Sequence, residues 1–204
     1  MKKPLFLLSF MLLFFSCENK AKTTEPVIIT EDTVPVVQTE ELQFHEVTNK
    51  KNCFIIISKK DLNLRVYEAL ATDTVLIAQY PVCVGKNLGN KTKKGDMKTP
   101  ETTLEKPFTI TEIKDASTWT HDFGDGRGAI LSYGHWFMRL SYGSGIGIHG
   151  STNNEKSVPG RASEGCIRLR DADIITLKEK YARIDMPVII KQENQGLFPY
   201  EIAK

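Results

Sequence analysis

Long apolar runs are scarce in this chain. The longest, Leu5 to Phe15, is interrupted mainly by Ser9 and falls short of the roughly 20 residues that a membrane-spanning helix needs. An excess of one charge is missing too: 27 Lys and Arg stand against 25 Asp and Glu, a formal net charge of +2 that includes Lys2 and Lys3. There is no basic stripe and no interleaved aromatic platform, so nucleic acid is excluded as a partner. Histidine and cysteine number four each, and His121, His135, His149 and Cys166 show no paired metal-ligand spacing, which argues against zinc. The glycine-bearing stretch Gly85 to Thr103 has no Gly-Lys-Ser or Gly-Lys-Thr. A phosphate loop is therefore rejected, and a lysine-rich, solvent-facing loop is expected in its place. No internal repeat is present.

What is there begins with the N-terminus. Lys2 and Lys3 followed by the apolar stretch read as a signal peptide over residues 1–16. Ser16-Cys17, with polar sequence from Glu18, resembles the lipobox of bacterial lipoproteins. That resemblance implies lipidation at Cys17, a membrane anchor without a span, and a location in the bacterial envelope facing the periplasm. Residues 17–48 are rich in Thr, Glu, Pro, Val and Lys without a lasting period, as expected of a flexible tether.

A single domain is expected over residues 49–192, with a tail over 193–204. Cys53 to Ser58 is a β-branched apolar run. Leu62, Leu64 and Val66 alternate with polar neighbours, and Val75 to Val84 reads as a third strand, giving an antiparallel meander. Phe108 to Ile110 resumes strand character, Thr118 to Gly128 reads as loop, and strand segments follow to Ile148. Asp171 is expected to cap a helix carrying Ile174, Ile175, Leu177 and Tyr181 inward, with Asp173 and Glu179 toward solvent. Pro187 ends it, and Val188 to Ile190 forms a last strand. The fold class is mainly β, with one helix after the segment that holds Cys166. Cys53 and Cys83 lie in strands and are expected to be buried packing residues, with a disulfide between them as the alternative.

Cys166 stands apart from them because its neighbours are polar and glycine-rich, Ser163-Glu164-Gly165-Cys166-Ile167-Arg168-Leu169. Seventeen residues upstream lies His149, in Ile148-His149-Gly150. A thiol needs a base or a nearby cation to become a nucleophile, and His149 at a strand end is placed to supply one. A backbone carbonyl near Gly150 or Ser151 is the expected partner orienting its ring. Gly165 permits close approach or a positive φ, and the N–H groups of Gly165 and Cys166 are candidates for an oxyanion site. Arg168 is poorly suited to a dry core and well suited to a two-pronged grip on a carboxylate. His135 and Trp136 either shape a groove or end a strand and fill the core.

Together, Ile148-His149-Gly150 and Ser163-x-Gly165-Cys166-Ile167-Arg168-Leu169 resemble the signature of the YkuD-type L,D-transpeptidases. Gly95-Asp96-x-x-Thr99-Pro100-Glu101 resembles an upstream segment of the same family, without its usual following glycine. The resemblance spans roughly Cys53 to Ile190. It implies a β-sandwich-like catalytic domain acting on peptidoglycan stem peptides, with Cys166 as nucleophile and His149 as base. It further implies that Ser163, Gly165, Gly150 and Arg168 line the site, and that no metal or organic cofactor is required.

Overall fold

The computed structural model describes residues 42–143 and 145–201. The signal peptide over 1–16, Cys17 and the tether up to residue 41 lie outside the described residues. The meander forms as the alternation dictates: β1 (Cys53–Ser58), β2 (Asn63–Ala69) and β3 (Thr74–Pro81) pair antiparallel in sequence order. The third strand is shorter than expected. It stops at Pro81, and β4 (Cys83–Gly85) joins different neighbours. Val82 marks the change of partners. Its N–H donates to Leu62 at 2.9 Å, while its carbonyl accepts from Gly160 at 3.1 Å.

The remaining strands are β5 (Phe108–Asp115), β6 (Thr120–Asp122), β7 (Ala129–Leu131), β8 (Trp136–Leu140), β9 (Gly147–His149), β10 (Gly160–Ser163), β11 (Ile167–Arg168) and β12 (Pro187–Ile190). Ten of the strands form one ladder in the order β10-β4-β11-β9-β8-β5-β12-β1-β2-β3, while β6 and β7 make a separate hairpin. Its first strand, β6, lies in the segment expected to be loop, while β7 opens the stretch expected to be strand. β5 serves both halves of the ladder: Phe108 and Thr109 pair with β12, and Ile110 to Asp115 with β8.

The halves share a core. Ile55, Ile57, Leu64 and Val66 from the meander pack in one cluster with Ile110, Met138, Ile148 and Ile167 from the other half. β1 is apolar almost without interruption because it is covered on both faces. Ile56 turns the opposite way, against Tyr67, Ile189 and Phe198. Phe198 arrives on the segment after β12, which an ion pair buried at both ends, Lys191 Nζ to Glu201 Oε2 at 2.6 Å, holds in place. Three pairings are parallel, β1 with β12, β4 with β10 and β9 with β11. Cys53 and Cys83 are both buried and free of a disulfide.

The helix α1 spans Asp171–Lys180 and buries Ile174 and Leu177. Asp171 is not its cap. Arg170 holds the extended cap position without a side-chain bond, and Asp171 is the first helical residue. Its carboxylate is taken by another partner, described below. Asp173 also departs from expectation: Glu179 is exposed, but Asp173 is half-buried with Oδ2 sealed from solvent and without a hydrogen-bond partner among the described residues. Desolvation raises its pKa accordingly.

Candidate active site

The parallel register of β9 and β11 removes the distance in sequence between His149 and Cys166. Ile148 lies opposite Ile167, and His149 opposite Arg168. Side chains alternate along a strand, so the two isoleucines enter the core while His149 and Arg168 share the other face. Cys166 stands two residues before Arg168, on that same face. It is diagonal to His149 across the ladder, and both side chains line one cavity. The position between them is Gly147, where any Cβ would collide with the Phe137 ring. Phe137 in turn stacks on the imidazole at 5.7 Å between centroids, and Tyr133 packs against it at 4.9 Å, the three rings forming one cluster.

A tight turn presents the thiol. Ser163 Oγ donates to the Cys166 carbonyl at 2.6 Å and accepts from the Gly165 N–H at 3.1 Å. That N–H, a candidate oxyanion donor by sequence, is therefore already committed. Gly165 adopts φ +135°, and a Cβ there would lie 2.6 Å from the Lys98 carbonyl oxygen. Only glycine tolerates both.

Lys98 belongs to the stretch expected to be a solvent-facing loop. The structure bears out the loop, with Lys86, Lys93 and Lys94 exposed, but the stretch is also pinned and runs beside the turn that holds Cys166. Thr99 Oγ1 donates to the Gly165 carbonyl at 3.0 Å and accepts from the Gly85 N–H at 2.8 Å. Asp96 gathers the N–H groups of Thr92, Lys93 and Lys98 and the ammonium of Lys91. Lys91 is 7% exposed for this reason and lines the cavity over the thiol. Where the family's usual glycine is missing, Thr102 exchanges bonds with the end of β12, its N–H to Ile190 O and its Oγ1 with Ile190 N–H.

His149 is 4% exposed, and Nδ1 lies 2.6 Å from the Gly150 carbonyl. A carbonyl only accepts, so Nδ1 carries the proton and Nε2 is the basic nitrogen. Burial, then the charge of Arg168, push the imidazole pKa from 6.5 down to about 3. Burial also pushes the Cys166 thiol up, with the Gly147 N–H and the charges of Arg168 and Lys91 pulling the other way. Both shifts disfavour ionisation, so the resting pair is a neutral thiol beside a neutral imidazole.

Gly150 acts from behind the site. Its Cα approaches that of Gly134 so closely that a Cβ on either would strike the other and the Asp171 carboxylate. Asp171 accepts from the Ser151 N–H at 2.9 Å and from the Thr152 hydroxyl, which ties the loop after His149 to the start of α1.

Arg168 is 4% exposed, and its Nε has no hydrogen-bond partner among the described residues. Its guanidinium sits 5.1 Å from the Phe123 ring centroid. It borders the cavity of about 250 Å³ that also contains Cys166, His149 and Ser163. A cation placed in this way is short of acceptors, and an anion entering the cavity supplies them.

The structure does not bring the other two groove candidates to this cavity. His135 is exposed, and Trp136 lies beneath the Lys178 ammonium of α1 at 4.1 Å. Conversely, sequence reasoning missed His121 and Phe123 from the β6–β7 hairpin, Glu164 and Lys91, all of which line it, and left Tyr133, which also lines it, open between groove and core. Among the described residues no three His, Cys, Asp or Glu side chains are grouped to hold a metal ion.

Residues 53–190 match the model of the YkuD family, the L,D-transpeptidase catalytic domain. No curated protein matches the chain. Among solved structures, Bd1075 from Bdellovibrio bacteriovorus is 22% identical with a TM-score of 0.51, over 78% of this chain and 55% of that one. L,D-transpeptidase 3 from Mycobacterium tuberculosis, solved with a faropenem-derived adduct, is 15% identical with a TM-score of 0.50, over 69% of this chain and 60% of that one. The chain spans little more than half the length of these solved proteins, and at such identities the likeness is one of fold.

Proposed function

The chain belongs to the YkuD family of L,D-transpeptidase catalytic domains, and we propose on that premise that it cross-links peptidoglycan stem peptides through a thioester on Cys166. The observation carrying this reading is the shared face of β9 and β11, which gathers His149, Cys166 and Arg168 at one cavity.

In the first half-reaction the thiol proton passes to His149 Nε2 as sulfur attacks the carbonyl on the L-centre of the donor's diamino acid. The S–C bond forms, the C–N bond to the terminal D-alanine breaks, and the imidazolium returns its proton to the leaving amine. Arg168 receives a donor carboxylate in paired hydrogen bonds, relieving its unpartnered Nε. Ser163 and Gly165 set the turn that aims the thiol, and Gly150 holds the imidazole tautomer. In the second half-reaction an acceptor amine displaces the sulfur. Water in place of the amine gives the carboxypeptidase outcome.

The same reading assigns residues 1–16 as signal peptide, Cys17 as a lipid attachment point, 17–48 as tether, 49–192 as catalytic domain and 193–204 as tail, in an envelope protein anchored to a membrane. Intact-mass measurement after mixing the protein with a tetrapeptide donor tests the central claim. The expected result is an acyl adduct on the native protein and none on Cys166→Ala. Turnover by that variant at the native rate refutes Cys166 as nucleophile.

A further inference from the structure

The cavity over Cys166 poses a problem of charge. Among the residues lining it, Lys91, Lys94 and Arg168 carry positive charge, and Glu164 alone carries negative. Lys91 is already answered by Asp96 at 2.8 Å. Arg168 and Lys94 suit the carboxylates of a stem peptide. The second substrate of the proposed reaction is different in kind, because an aliphatic amine arrives as an ammonium ion. Glu164 is the one lining group that attracts it.

Glu164 is also correctly built for the purpose. It directly precedes the Gly165-Cys166 turn, and its side chain is 49% exposed, so it meets an incoming group at the mouth. It borders both the thiol cavity and a neighbouring cavity of about 290 Å³, which share Phe123, Ser163 and Arg168 with it. His121 of β6 reaches it across 43 residues of sequence, Nε2 to Oε1 at 3.3 Å. An exposed pair of this type contributes little to folding, so packing does not account for its place beside the nucleophile.

Proton balance gives the pair a task. The acceptor ammonium carries one proton more than the attacking amine. It must lose that proton before its lone pair can form a bond to the thioester carbon. When the bond forms, the nitrogen releases a second proton to His149 Nε2, the C–S bond breaks, and the departing sulfur takes that proton back from His149. The imidazole is then neutral again, and this half-reaction leaves one proton over, equal to the one that the departed D-alanine amine takes from solvent after the first. His149, buried behind Phe137 and Tyr133, has no share in it.

We infer that Glu164, steadied by His121, is the acceptor subsite, binding the ammonium group and passing its surplus proton to solvent. This rests on the transpeptidase reading above. It makes Glu164 a specificity residue for transfer over hydrolysis.

The test measures partition of the acyl-enzyme formed from a tetrapeptide donor, for the native protein and for Glu164→Gln and Glu164→Asp. Two acceptors are compared: a stem peptide with a side-chain amine, and hydroxylamine, which is uncharged at neutral pH. Glu164→Gln should raise the KM for the peptide amine by about tenfold to a hundredfold, the size expected for a hydrogen bond to a charged group. This loss should exceed any change in hydroxylamine transfer by at least about tenfold, with Glu164→Asp restoring part of it. An unchanged KM for the amine overturns the inference. So does an equal loss with both acceptors, which would mark Glu164 as a support of the turn. A native protein that forms the thioester but passes it only to water also overturns it, while leaving the thioester chemistry standing. Failure to form any thioester removes the transpeptidase reading and this subsite with it.

Discussion

A neutral resting pair at Cys166 and His149 has a kinetic signature in alkylation. Enzymes that hold a thiolate–imidazolium pair react with iodoacetamide at a rate that is flat across a wide acidic and neutral range, because the thiolate is already present. Here the lowering of His149 from 6.5 to about 3 disfavours the imidazolium by about 5 kcal/mol, at about 1.4 kcal/mol per pH unit. The thiol is raised as well. Neither partner therefore ionises the other before substrate arrives, and thiolate appears only as solvent removes the proton. Each pH unit then multiplies the thiolate tenfold. The second-order rate of Cys166 alkylation should rise about a hundredfold between about pH 6 and about pH 8, without a plateau. The assay is iodoacetamide labelling followed by intact mass, scored at Cys166 because Cys53 and Cys83 are buried. A plateau reaching below about pH 7 would refute the neutral pair and the burial argument behind it.

Two other outcomes follow from the same geometry. The His149 pKa is lower folded than unfolded, so its contribution to stability is present above 6.5 and lost as pH falls toward about 3. By about pH 5 the loss should reach about 2 kcal/mol in denaturant titrations, and His149→Gln should flatten that dependence. Asp171→Ala strands the Ser151 N–H and frees the loop that carries the Gly150 carbonyl. It should cost about 1–3 kcal/mol of stability and lower kcat more than the KM for the donor. The opposite split would show that the clamp serves binding instead.

Much of this arrangement was legible in the residues. The alternation in Leu62 to Val66 and the β-branched run at Cys53 specify strands by local chemistry alone, and the glycines around Cys166 mark a turn that only glycine can make. Pairing was less legible. Parallel neighbours such as β9 and β11 leave no turn residue between them to announce the contact. Asp171 illustrates a different limit: a carboxylate at a helix start suits a cap and a loop clamp equally, and only the position of Ser151 decides. Lys91 misled because lysine ordinarily signals solvent, whereas here Asp96 cancels the charge inside a fold of the loop. His121, Phe123 and Glu164 each sit in polar surroundings with ordinary local patterns, and their convergence exists only in three dimensions.

The place of β12 between β1 and β5 has a consequence for timing. A chain delivered from its N-terminus exposes residues 53–58 long before residues 187–190, yet these two strands lie side by side. Until the last strand arrives, β1 has β2 on one flank and nothing on the other, and β5 has only β8. The early half of the chain must wait for the late half, and contacts so distant in sequence make folding slow. The reactive centre inherits the delay, since its supporting core draws on both halves at once. A polypeptide interrupted before residue 187 would carry every atom of Cys166, His149 and Arg168, and would still lack the strand that joins the two halves around them.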